Sequence, residues 1–423
     1  MTGPQKYSRT ALLLMFAIYG GGVSAQEKAG PSATPTLKTL YSFTSPDGSS
    51  PGGGLVSHAG SLYGATLLGG ASNSGAVYEL TPPAAGGKTW TETVLYSFTG
   101  ANDGGQCWGN VVFDSAGALY GVTLAGGTGL AGTVYQLTPP AVSGGAWTEA
   151  VLHSFTGGAD GGSPAGIMFG SNGSLYGTAT TGGTANQGAV FQLTPPAVSG
   201  GAWTFTVIYN FAGAPDGASP GAALIAGSKG TLLGTTYLGG ASNAGTVFEL
   251  TRPTKVGGAW TEAVIYSFTG DSDGGYPDAA LTPGSKAGSV YGTASYGGAT
   301  QDGTAFELTP PAETGGAWTY TLLHSFAGAG DGTHPYGALV STSTGLLGTT
   351  FSGGTNGDGT IFALKPPAAS GDPWTEVVVY DFSGSTAGGN PLGGLVPGSS
   401  GVVYGTTFAG GSVGDGTIFQ ITL

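Results

Sequence analysis

"GAVFQLTPPAVSGGAWTFTVIYNF" occupies residues 188–211, and "GTVYQLTPPAVSGGAWTEAVLHSF" occupies residues 132–155. Working outward from these phrases, the terminal Phe recurs as Phe43, Phe98, Phe155, Phe211, Phe268, Phe326 and Phe382. The Trp recurs as Trp90, Trp147, Trp203, Trp260, Trp318 and Trp374, and Gly-Gly pairs begin at Gly69, Gly126, Gly182, Gly239, Gly297, Gly353 and Gly410. The chain is therefore seven units of 55–58 residues. Each unit holds four segments rich in Val, Ile, Thr and aromatic residues, separated by Gly, Pro, Asn and Ser. Around the third unit they are "AGIMF" (165–169), "SLYGTAT" (174–180), "GAVFQLTP" (188–195) and "WTFTVIYNF" (203–211). Four strands per repeat of this size predict a propeller blade; the coils of a β-solenoid are shorter.

The repeat is out of phase with the chain. It opens on a lone fourth strand, "LKTLYSF" (37–43), and ends on a third strand, "GTIFQITL" (416–423). Pairing the two completes the last blade and removes two open sheet edges. The expected fold is all-β, a seven-bladed β-propeller of four-stranded blades closed by its N-terminal strand. The expected domains are a signal peptide at 1–25, a linker at 26–36 and the propeller at 37–423.

Composition narrows the setting. There are 86 Gly and 25 Pro, about a quarter of the chain. Without a period this would suggest disorder; with a period and 39% hydrophobic residues it describes a turn-rich repeat with a core. Lys6 and Arg9 precede the apolar run 11–23, and "VSA" (23–25) offers a cleavage site, so export is expected. That run is too short to span a bilayer, and no other stretch is long enough. Net charge is −13, and about −15 without residues 1–25, which argues against nucleic acid and anionic membranes as partners. Cys107 is the only cysteine, so no intrachain disulfide is possible. A secreted monomer is expected.

Two resemblances follow from these residues. The pattern "GSLYG" (60–64), Gly69–Gly70, "GAVYELTPP" (75–83) and Trp90 looks like the kelch blade. The pattern "GTVFELT" (245–251), "GGAWTEAVIYSFTG" (257–270) and "DGG" (273–275) resembles the choice-of-anchor tandem repeat called GloVer, over about residues 37–423. That resemblance implies export and repeat architecture, not an activity. Members of that family often end in a sorting or anchoring signal. This chain carries none after its last strand, and no anchor is expected.

Candidate sites follow from the topology. In an antiparallel blade, the Gly-Gly loop and the connection into the next blade lie on one face. That connection carries Asp-Gly at Asp47, Asp103, Asp160, Asp216, Asp273 and Asp331, with Ala387 in the seventh copy. Six carboxylates around a channel mouth would attract cations, calcium among them; the alternative is a turn capped by its own Asp. Just after this turn the copies diverge, reading Gly52, Trp108, Ala165, Gly221, Asp278, Tyr336 and Leu392, with Gln106, Cys107, Tyr276 and His334 beside them. These positions should begin the innermost strands, and Trp108, Tyr276, Asp278, His334 and Tyr336 are the candidate ligand contacts. The periodic Tyr and Trp read as packing between blades, and Gly64 and its equivalents as points of close strand approach.

Enzyme signatures are weak. "GDSDG" (270–274) and "GGSVG" (410–414) fit a nucleophile pattern that a Gly-rich chain produces by chance. His153 and His324 occupy a slot that holds Tyr elsewhere and read as packing substitutions, leaving His58 and His334 short of a metal set. The leading expectation is a secreted binding or scaffolding module for an extracellular glycan or protein, without a required cofactor. The alternatives are a carbohydrate-active glycosidase or lyase using Asp residues at the channel mouth, and a purely structural surface component.

Overall fold

The structure is a computed structural model and describes residues 34–423, apart from 143, 199, 256, 314, 370, 371 and 400. The proposed signal segment lies outside the described residues. Seven four-stranded antiparallel sheets follow one another along the chain: 56–97, 105–154, 162–210, 225–267, 282–325, 340–381 and 396–422, called blades 1–7 here. Blade 3 is typical of the order, with Gly162–Phe169 innermost, then Leu175–Thr181, Ala189–Thr194 and Thr204–Asn210 outermost.

The ring closes as the phase of the repeat requires. Thr36–Ser42 lies antiparallel to Thr417–Thr422, in a register running from Thr36 opposite Thr422 to Ser42 opposite Thr417. Blade 7 is thus Val396–Pro397, Val402–Thr407 and Thr417–Thr422, with the first strand of the chain as its outermost member. The inner strands differ more than the repeat suggests. They are long only in blades 2 and 3, at Gly105–Phe113 and Gly162–Phe169. In the other five a two- or three-residue strand remains, because the segment bows out between a pairing beside the Gly-Gly loop and a second pairing at the far end.

The core lies between blades. The seven recurring Phe are fully buried, and each meets the third-strand aromatic of the next blade. Phe43–Tyr78, Phe98–Tyr135, Phe155–Phe191, Phe211–Phe248, Phe268–Phe306, Phe326–Phe362 and Phe382–Phe419 have ring centroids 4.9–5.4 Å apart, tilted or edge-on. Such pairs contribute about 0.5–1.5 kcal/mol beyond the area they bury. Nearer the rim, the Trp of one blade packs on the Tyr of the blade before it: Trp90 on Tyr404, Trp203 on Tyr120, Trp260 on Tyr176 and Trp374 on Tyr291. The repeated phrase is faithful because every copy forms the same Phe contact with a neighbour, and four copies add the Trp–Tyr contact.

Gly64, Gly177 and their counterparts have a more specific role than letting backbones approach. Each lies opposite the buried aromatic of the adjacent strand, as Gly177 does Phe191. A Cβ at Gly177 would lie 2.4 Å from the Phe191 ring, and one at Gly121 would lie 2.2 Å from the Tyr135 hydroxyl.

Candidate binding face

The Asp-Gly turns and Gly-Gly loops share one face and are bonded together. Gly70 N–H donates to the Ser45 carbonyl at 2.9 Å, and Gly240 N–H to that of Asp216 at 2.7 Å. The chain then turns inward through a residue with positive φ. Ser50, Gln106, Ser163, Ser219, Tyr276, His334 and Asn390 hold this position, with φ between 48 and 61°. None is glycine, although the left-handed region costs an L-residue about 1–2 kcal/mol. The compensation is a hydrogen bond across the seam: each N–H donates to a loop carbonyl of the preceding blade at 2.7–2.9 Å, as Tyr276 does to Ala244 and His334 to Asp302.

The six Asp carboxylates act within their turns. Asp103 accepts from the backbone N–H of Thr99 at 2.8 Å, Asp216 from that of Ala212 at 2.8 Å and Asp331 from that of Ala327 at 3.0 Å; Asp47, Asp160 and Asp273 do the same with Thr44, Thr156 and Thr269. Each also meets the outer strand: Tyr96, Tyr209 and Tyr266 donate to Asp103, Asp216 and Asp273 at 2.9–3.2 Å, and Tyr41 donates to Asp47. They lie at the seams between outer strands, as turn caps. His153 and His324, read from sequence as packing substitutions, do stack and pack, but their Nε2 atoms also lie 3.2 and 3.0 Å from Asp160 and Asp331. No group of three or more His, Cys, Asp or Glu arranged for a metal ion occurs among the described residues.

The divergent positions begin an inner strand only in blades 2 and 3; elsewhere they lie in the segment ahead of it. Trp108 lies over the inner segment of blade 1, where a Cβ on Gly52 would meet its ring at 2.8 Å. The other four candidates come together on blades 5 and 6. Tyr276 packs edge-on to Tyr296 at 5.6 Å, Tyr296 edge-on to His334 at 4.8 Å, and His334 stacks near Tyr336 at 6.2 Å. Tyr237 of blade 4 and Phe351 of blade 6 extend the cluster at each end, at 5.2 Å from Tyr276 and 5.7 Å from Tyr336.

Electrostatics in this sector follow from burial. Burial raises the Tyr336 hydroxyl well above the usual phenol range, with the tyrosines around it and Asp278 adding to the effect. Burial also lowers the His334 imidazole below its ordinary value, against the pull of Asp302. His334 Nδ1 lies 2.8 Å from the Thr333 hydroxyl. Tyr237, Tyr296 and Phe351 were not among the sequence candidates. Tyr237 and Phe351 sit two residues before their Gly-Gly pairs, where the copies read Leu67, Leu124, Thr180, Tyr237, Ser295, Phe351 and Phe408, and Tyr296 sits one before, where they read Leu68, Ala125, Thr181, Leu238, Tyr296, Ser352 and Ala409. That variation was the available signal. A shallow depression elsewhere on this face is lined by Ser45, Pro46, Gly70, Ala71 and Asn73, none of them suited to acid–base chemistry.

A sequence profile of the Gloeobacter/Verrucomicrobia repeat matches the chain over residues 28–248, 109–317 and 254–423. The chain belongs to this repeat family. No curated protein matches the Gloeobacter/Verrucomicrobia repeat chain. Among solved structures it is similar to a Bacteroides uniformis protein provisionally described as a 6-phosphogluconolactonase: 15% identity, 81% of this chain and 88% of that one, TM-score 0.51. It is also similar to the extracellular domain of a protein provisionally described as a one-component system from B. thetaiotaomicron: 11% identity, 92% of this chain and 42% of that one, TM-score 0.53. At these identities the likeness is one of fold alone. Among the described residues no helix is long and apolar enough to cross a membrane.

Proposed function

We propose that this repeat propeller is an extracellular binding module, and that a glycan docks on the aromatic sector of blades 4–6. The observation carrying this reading is the asymmetry of that sector. Seven copies agree on their packing residues, yet blades 5 and 6 place Tyr276, His334 and Tyr336 where other copies place Ser50, Gly52, Ser163, Ala165, Ser219 and Gly221, and Tyr237, Tyr296 and Phe351 pack beside them. Packing alone does not require this, since the same scaffold closes around small side chains elsewhere. Partly exposed aromatic rings offer flat apolar faces to sugar rings, and Tyr hydroxyls, His334 and Asp278 supply polar partners for sugar hydroxyls. Export, read from the residues before position 26, would place the face outside the cell.

The test is a glycan array probed with the chain from residue 26 onward, beside Tyr276→Ala, Tyr296→Ala and Trp108→Ala. Saturable binding weakened roughly tenfold or more by the two Tyr substitutions is the expected result. An array that stays silent, or binding that both Tyr variants retain in full, overturns the reading. Loss in Trp108→Ala alone would move the site to blade 2.

A further inference from the structure

Each seam between neighbouring outer strands has three slots. The first is the residue two before the buried Phe, the second is the Asp of the Asp-Gly turn, and the third is the residue two after the Trp of the next blade, or after Pro35 in the closing strand, which has no Trp. Between blades 7 and 1 these are Tyr41, Asp47 and Glu92; between 1 and 2, Tyr96, Asp103 and Glu149; between 3 and 4, Tyr209, Asp216 and Glu262. In all three the Tyr hydroxyl donates to the Asp, which also accepts a backbone N–H. The Asp oxygens are therefore acceptors already engaged by two donors. A phenol has one proton, and here it is committed. The Oε1 atoms of Glu92, Glu149 and Glu262 are buried and have no hydrogen-bond partner among the described residues.

A charged glutamate in that place would face a second carboxylate; for Glu92 the one hydroxyl in reach is that of Tyr41, which already donates to Asp47. A protonated one has an O–H to give. The groups facing it are Asp47, Tyr41 and Tyr78 for Glu92, Asp103, Tyr96 and Tyr135 for Glu149, and Asp216 and Tyr209 for Glu262. None of them is cationic.

The remaining seams follow the same logic. Where the first slot is His153, already beside Asp160, the third is Phe205, stacked on the imidazole at 3.6 Å. Where Tyr266 donates to Asp273, the third is Tyr320, stacked on Tyr266 at 4.7 Å and donating to the Asp273 carbonyl at 2.7 Å. Where the Asp is replaced by Ala387, the third is Leu37, packed in one apolar cluster with Tyr380. Glutamate thus stands only opposite an aspartate and is absent where the aspartate is absent. In the blade 5–6 seam the first slot is His324, beside Asp331, and the third is Glu376; this seam is left outside the inference.

We propose that Glu92, Glu149 and Glu262 are protonated in the folded ring below neutral pH, each carboxylic acid seated against a Tyr–Asp pair, so that three seams form a pH-sensitive closure. Burial first, and the facing Asp second, push all three carboxyls up to about 7. An unfolded glutamate titrates near 4.3, so the folded chain binds more protons between the two values. Stability from these groups is fully present below about pH 4.3 and is lost as pH rises towards 7.

Thermal midpoints of the full chain and of a Glu92→Gln/Glu149→Gln/Glu262→Gln variant, measured across this range and up to about pH 8, test the closure. Glutamine has the shape of the protonated acid and no charge. The variant should match its parent at the acid end and melt a few degrees higher above neutrality, while an exposed control, Glu313→Gln, tracks the parent throughout. His153 and His334 titrate identically in both proteins and cancel in the difference. Parallel pH curves for parent and variant overturn the inference, and so does a variant that fails to fold, since the neutral form is held to be the native one. Infrared spectra near pH 6 give a second reading: the parent should show a protonated-carboxyl band that the variant has lost. Its absence from the parent overturns the inference independently.

Discussion

At Gly177 the difference between hydrogen and methyl is decided by the ring of Phe191 on the next strand. Gly177→Ala should cost about 1–3 kcal/mol, the range for overpacking a filled core, as read by chemical denaturation. Ser219 behaves in the opposite way. Its backbone φ is 53°, so Ser219→Gly should be neutral or slightly stabilising, whereas Ser219→Val should cost about 1–2 kcal/mol because a β-branched side chain resists that region. Matching melting temperatures for the two variants would show that the position carries no strain. The sequence marked Gly177 as special, since every copy has Gly after Leu-Tyr or Leu-Leu or its equivalent. It could not mark Ser219, because Ser, Gln, Tyr, His and Asn share no chemistry there. What they share is a hydrogen bond from the backbone, which leaves no trace in side-chain identity.

At the scale of the element, the closing strand was legible and the inner strands were not. Thr36–Ser42 repeats the outer-strand pattern ahead of the first blade, and it pairs with Thr417–Thr422 as counting the strands predicts. Removing residues 34–44 should turn one sharp thermal transition into a lower, broader one, with calorimetric enthalpy exceeding the van't Hoff value. A truncated chain melting as sharply as its parent would mean that blade 7 holds without its outer member. The inner strands depend on how each segment bows between its two pairings. Blade 2, with Cys107 in place of the usual Pro, and blade 3, one residue shorter after its Pro164, run straight. That distinction is set by fit against the neighbouring blade, and a propensity for strand does not contain it. The Asp-Gly ring was legible as a set of turns, but the seams it belongs to were not. They join residues about 45 positions apart, and only the packed ring shows that the two lie together.

For the whole molecule, Cys107 offers a probe of integrity. Its side chain is 1% exposed, and burial raises its thiol well above the ordinary value. A thiol reagent at neutral pH should leave the native ring unlabelled and modify it at the rate of global opening. Rapid labelling under native conditions would mean that blade 2 opens by itself. Most of the fold could be read from the repeat because each copy meets its neighbour in the same way. The aromatic sector could be read only in part, because function would be written where copies disagree, and a single sequence gives each disagreement once.

The joining of Thr36–Ser42 to Thr417–Thr422 also sets an order in time. Six blades can assemble as soon as their own strands have emerged, but the seventh draws on Thr36–Ser42 and on Thr417–Thr422, which emerge far apart in time. At a synthesis rate of about 5–20 residues per second, the opening strand waits roughly 20–80 s for its partner. Throughout that interval it is a bare edge beside a growing stack. The covalent order of the chain thus makes the emergence of Thr417–Thr422 the moment at which the ring becomes a single cooperative body.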